Sequence, residues 1–111
     1  MMYVDFTAGN KDYKLRLNVR STVALEKQLG CNPLSIFGKD GTTIPTLTTM
    51  VNILHASLQH YHHGISLNDA YAIFDEYLEE NTVMDFVAVI IEIYRESGIL
   101  PKEVEGIEPK N

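Results

Sequence analysis

From Gly41 to Asn68 the chain runs for 28 residues without an Asp, Glu, Lys or Arg. A soluble surface helix carries charge on its outer face, so this window predicts a helix buried on more than one side. Thr46 is placed to cap it, and the helix is expected from Leu47 to about His63, stopping at Gly64. Leu47, Val51, Leu54, Leu58 and Tyr61 follow an alternating four- and three-residue spacing, with Met50 beside them, and form the expected inner seam. The opposite stripe, Thr48, Asn52, His55, Gln59 and His62, is polar yet uncharged. That composition predicts contact with another helix or subunit.

The flanks of the window differ in sign. Residues 1–40 carry a net charge of +2 and residues 69–111 a net charge of −8. Opposite patches on one chain favour head-to-tail self-association over roughly a Debye length, about 8 Å at physiological salt. The plainer expectation is a solvated acidic face that keeps the protein dispersed. Nucleic-acid binding is not expected, because Lys11, Lys14, Arg16 and Arg20 are too sparse to neutralise a phosphate backbone. One cysteine, Cys31, offers no internal disulfide. The N-terminal residues lack the features of a signal peptide, and the apolar runs fall far short of the ~20 residues that cross a bilayer.

The fold class expected is α+β, mainly helical: one domain over residues 1–101, with a hairpin at 2–19 and four to five helices within 20–101. In the hairpin, Tyr3, Val4, Phe6 and Thr7 favour strand and Gly9-Asn10 supplies the turn. Tyr13, Leu15, Leu17 and Val19 then alternate with Lys14, Arg16 and Asn18. Ser21 is the expected cap of a helix through Leu29, with Val23, Leu25 and Leu29 inward and Gly30 at its stop. Asn32-Pro33 opens a short helical turn to Phe37, and residues 38–42 form a loop. Ser66 and Asp69 open a helix to about Glu80, with Ala70, Phe74, Tyr77 and Leu78 inward. Thr82 and Asp85 open the last helix, which Gly98 ends and which is apolar around most of its circumference between Phe86 and Ile91. The tail 102–111 lacks a repeating apolar face and is expected to be a flexible acidic extension.

No catalytic constellation is legible, and neither an enzyme nor a cofactor is expected. His55, His60, His62 and His63 fan around different sides of a helix, so surface or interface histidines are expected rather than a metal site. Asp75, Glu76, Glu79 and Glu80 read as one outward acidic face that meets solvent or a partner, not as an acid-base pair in a cleft. No serine has a nucleophile-elbow context, and no phosphate-binding glycine motif is present.

Taken in order, the segments 13–17, 23–30 and 32–37 resemble the opening of tail assembly chaperones from long-tailed, siphovirus-like bacteriophages and prophages. The likeness continues through residues 53–61, 74–78 and 84–86 to Leu100-Pro101. It implies a homo-oligomer that binds the long helical tape measure protein, keeps it soluble and helps recruit tail tube protein. It also implies residence in the bacterial cytoplasm and absence from the mature virion. Many such chaperones are made in two lengths by a ribosomal frameshift, and Pro109-Lys110-Asn111 can be encoded by a slippery heptamer. The residues expected to contact a partner or subunit are Met50, Asn52, Leu54, Leu58, Gln59 and Tyr61, with Ile90, Ile91 and Tyr94 as alternatives. The other classes to weigh are a structural tail or head-tail joining component retained in the virion and, less favoured, a histidine-based metal-binding protein.

Overall fold

The computed structural model describes residues 2–101. The fold is α+β and mainly helical. An antiparallel hairpin of β1 (Val4–Ala8) and β2 (Lys11–Leu15) precedes α1 (Val19–Leu29), a 3₁₀ segment (Pro33–Phe37), α2 (Leu47–Leu58), α3 (Leu67–Tyr77) and α4 (Val83–Glu96). The tail expected at 102–111 lies outside the described residues.

Alternation along the hairpin sends Phe6, Ala8, Tyr13 and Leu15 into the core. The pattern was expected to continue through Val19, but Val19 is instead the first residue of α1 and is 80% exposed. Local capping explains the difference. The Ser21 N–H donates to Asn18 Oδ1 at 2.8 Å, and the Asn18 N–H donates to Ser21 Oγ at 3.0 Å. Asn18 is therefore the cap, and Ser21 closes a reciprocal box from the third helical position rather than capping the helix itself. Of the expected inward residues, Leu25 is buried, Leu29 half-buried and Val23 exposed.

A two-stranded sheet needs external support, and three backbone donors supply it. The N–H of Lys14 donates to His62 Nε2 at 2.9 Å, that of Arg16 to the Ser57 carbonyl at 2.8 Å, and that of Leu17 to Ser97 Oγ at 2.9 Å. The outer edge of β2 and its exit are thus tied to the end of α2 and the end of α4. Phe6 anchors the inner face: its ring stacks on Tyr77 at 4.7 Å and meets Phe86 edge-on at 5.9 Å, while Phe74 meets Phe86 edge-on at 5.0 Å.

Helix α2 occupies the centre, touching α1, α3, α4 and β2. Thr46 caps it by accepting from the Thr49 N–H at 3.1 Å. Seven of its twelve residues are buried, including Ile53 and Ser57, which the expected seam omitted. At the ends of that seam Leu47 and Tyr61 are exposed. The helix stops at Leu58, short of the expected His63, because Gln59 takes over the following turn. Its Nε2 donates to the carbonyls of His55 (3.0 Å) and Ile65 (2.8 Å). Both later helices open with the expected boxes, Ser66 with Asp69 and Thr82 with Asp85. Helix α3 ends at Tyr77, before the expected Glu80, where Asn81 Nδ2 donates to the Tyr77 carbonyl at 3.1 Å. The buried Tyr94 hydroxyl donates to the Pro33 carbonyl at 3.0 Å and so fastens the 3₁₀ segment to α4. Burial holds this phenol far above its ordinary pKa, with Cys31 adding to the shift.

Candidate functional site

The histidines are spread along the end of α2 and the turn that follows, where His60 and His62 reach the hairpin and its exit. His62 Nε2 accepts from the Lys14 N–H, and its ring meets Tyr13 edge-on at 5.3 Å. Burial, reinforced by the Lys14 ammonium, lowers the His62 pKa below its ordinary 6.5. A neutral ring with a free Nε2 lone pair is what the Lys14 bond requires. His60 Nδ1 lies 3.0 Å from Asn18 Nδ2, and its ring meets Tyr61 edge-on at 4.6 Å. His55 is half-buried on α2 and His63 is exposed. Among the described residues, no group of three or more His, Cys, Asp or Glu is placed to hold a metal ion.

A wide cleft of about 1030 Å³ opens between the hairpin, the turn after α2 and α3, lined in part by Lys11, Asp12, Tyr13, His62, Asp69 and Glu76. Its walls carry both charge signs. Asp69 is held below the usual carboxylate range by the Ser66 N–H and hydroxyl, so it serves the helix cap. Tyr13 is pushed up by burial and by the Glu76 carboxylate, which keeps its phenol protonated. The cleft therefore offers hydrogen bonds and mixed charge, but the His62 imidazole and the Asp69 carboxylate are already committed to backbone groups.

The expected acidic face divides. Asp75, Glu76, Glu79 and Glu80 are all exposed, but Glu76 lines this first cleft and Asp75 lines another on the α2 side of α3. The Glu76 side chain also lies against the hairpin turn. A Cβ on Gly9, whose φ is +62°, would come within 3.2 Å of Glu76 Oε1.

The expected contact residues divide as well. Met50, Leu54, Leu58, Ile90 and Tyr94 are fully buried within the domain, because α2 and α4 both turn these positions onto the shared core. They present no surface to a partner in this conformation. Ile91 and Asn52 are half-buried, and Asn52 Nδ2 donates to the Thr48 carbonyl at 2.9 Å. Gln59 braces its own turn, so a substitution there tests the fold before it tests an interface. Tyr61 is 40% exposed, against Tyr3 and His60.

The large apolar side chains that do face outward include Val19, Val23, Leu47, Tyr71 and Met84. On α4, Met84, Val87, Ala88 and Ile91 fall on the side opposite Phe86, Ile90 and Ile93, and all four are exposed or half-buried. The continuous apolar run of α4 was the available signal for that stripe. Val19 and Val23 carried a signal of the opposite kind, since strand alternation and helix spacing assigned both to the core.

Residues 4–108 match a family of unknown function, DUF6096. The chain belongs to that family. No match was found among curated proteins or among solved structures. Among the described residues no helix is long and apolar enough to cross a membrane.

Proposed function

We propose that this DUF6096 domain is a tail assembly chaperone: it self-associates, covers apolar stripes of the elongated tape measure protein, helps recruit tail tube protein, and works in the cytoplasm of a bacterial host. The resemblance running from residues 13–17 to Leu100-Pro101 supplies the class. The observation that carries the reading is the distribution of exposed apolar side chains. They stand on α1 (Val19, Val23), at the α2–α3 cleft (Leu47, Tyr71) and on α4 (Met84), so a small domain offers several separate apolar contacts. Repeated weak contacts suit a long helical client, because an oligomer binds by avidity that one subunit lacks. The acidic side chains of α3 and its following turn support solubility of such a complex.

Sequencing the encoding DNA and its neighbours tests the class. The expectation is a very long helical reading frame downstream, preceded by a slippery heptamer with an overlapping second frame. Unrelated neighbours on both sides would remove the reading. Mass spectrometry of purified particles separates the nearest alternative, since a chaperone is absent from them and a structural tail or joining component is retained.

A further inference from the structure

Helices α1 and α2 pack on each other, and each brings a row of side chains at four-residue spacing to a groove between them. Arg20, Ala24 and Gln28 form the row on α1, while His55 and Gln59 form the row on α2 and His63 continues it from the turn beyond. That spacing stacks side chains on one helical face. Ala24 and the buried Ala56 end at Cβ, and the Ser21 hydroxyl is drawn back onto Asn18 at the helix cap, so a cavity of about 260 Å³ remains between the rows.

The polar groups around this cavity are of two kinds. Asn18, Ser21 and Gln59 spend theirs on the α1 cap and on the turn after α2. The side chains of Arg20, Gln28, His55 and His63 make no hydrogen bond or ion pair among the described residues. Charge also sets the groove apart. The chain has 15 acidic against 9 basic side chains, and acids line its other clefts: Asp12, Asp69 and Glu76 beside the hairpin, Asp75 between α2 and α3, and Glu26 between α1 and the end of α4. The α1–α2 groove has Arg20 and no Asp or Glu on its walls.

From this arrangement we propose that the α1–α2 groove binds a small organic carboxylate. A guanidinium presents a planar fork that matches the two oxygens of a carboxylate, so Arg20 takes the charged end. The Gln28 amide and the imidazole N–H groups of His55 and His63 are the free donors for the remaining lone pairs. Ala24 and Ala56 meet the carbon body. A hydrated inorganic anion would use only the polar rim, and an amine would face Arg20 with no carboxylate to hold it. The cavity is smaller than the roughly 300–1,000 Å³ of pockets for drug-sized ligands, so the body is a short chain or single ring. This site is independent of the client-binding reading above, which uses other faces of the domain.

Two-dimensional NMR on the isotope-labelled full chain tests it, with hexanoate, hexanamide and inorganic phosphate titrated separately at constant pH and ionic strength. Hexanoate is expected to shift the amide resonances of Ala24 and Ala56 saturably. Hexanamide, which has the same length without the charge, and phosphate, which has charge without the body, should each bind more weakly by on the order of tenfold. Two variants at exposed positions spare the core. Arg20→Gln should bring hexanoate down to the affinity of hexanamide, and Ala24→Leu should fill the cavity and weaken both, with unchanged circular dichroism in each case. Equal affinity for hexanoate and hexanamide, or an Arg20→Gln variant that binds hexanoate as the wild type does, would overturn the assignment to an anion. Phosphate that binds as tightly as hexanoate would overturn the organic body. Absence of saturable shifts with all three probes, or unchanged binding in Ala24→Leu, would overturn the site.

Discussion

Helices α2 and α4 have similar sequence signatures and different fates. Each carries a broad apolar side, yet α2 meets three helices and β2 and leaves outward mainly its first turn and its uncharged polar stripe, whereas α4 keeps Met84 and Ala88 open to solvent. The difference lies in topology. Helix α2 falls in the middle of the chain order and collects neighbours on its flanks, while α4 comes last and packs one face onto Phe6, Phe74 and the α2 core. An apolar circumference therefore identifies a helix that needs partners without saying whether the same chain provides them.

Substitutions sharpen this contrast. The largest expected effect is at the centre of α2: Ile53→Ala, at a fully buried site, should destabilise by about 2–5 kcal/mol in urea denaturation, through lost burial and the cavity left behind. A smaller loss, on the order of 1–3 kcal/mol, is expected from Gln59→Leu, which strips the turn after α2 of its two Nε2 bonds. A normal midpoint in that variant would show that α2 needs no brace at its end.

The tie between that same turn and the hairpin should depend on pH. Because the His62 pKa is lower in the folded state than its ordinary 6.5, the unfolded chain binds more protons as pH falls below that value. Stability from this group is fully present above 6.5 and is lost as pH falls through the lower folded value. Lys14 reinforces the trend, while Asp12, Asp69 and Glu76 are the acids that share the cleft. His62→Phe should lower stability at neutral pH by about 1 kcal/mol, because the Lys14 N–H loses its acceptor. It should also flatten the acid dependence of the melting temperature, and an unchanged slope would show that another group titrates.

The smallest effect is expected on α4. Met84→Lys, at a 55% exposed position, should change stability by no more than about 0.5 kcal/mol. It should nevertheless weaken capture of an apolar client if that stripe is used. A large stability loss there would mean that α4 is as enclosed as α2, and the contrast would fail.

What was legible in the sequence follows the same division between local and tertiary causes. Thr46, Ser66 with Asp69, and Thr82 with Asp85 were readable as helix starts, because a cap is made by residues within one turn of each other. The start of α1 was displaced because Asn18 and Ser21 both suit a cap, and only the geometry makes them reciprocal partners. The end of α2 was overrun because the Gln59 bond to Ile65 depends on how the turn folds back. Met50, Leu54, Leu58, Ile90 and Tyr94 have the spacing of a binding stripe and of a core alike, and the packing of α2 against α4 commits them to the core. The Val19–Val23 face and the Leu47–Tyr71 rims depend on which sides the neighbouring elements leave open.

On the proposed reading this domain holds an elongated helical client in solution, and co-expression with a long helical reading frame, where sequencing finds one beside the gene, tests it most directly. The client is expected to move from the insoluble to the soluble fraction and to co-purify with several copies of the domain per client chain. A client that stays insoluble, or dissolves without retaining the domain, would contradict it.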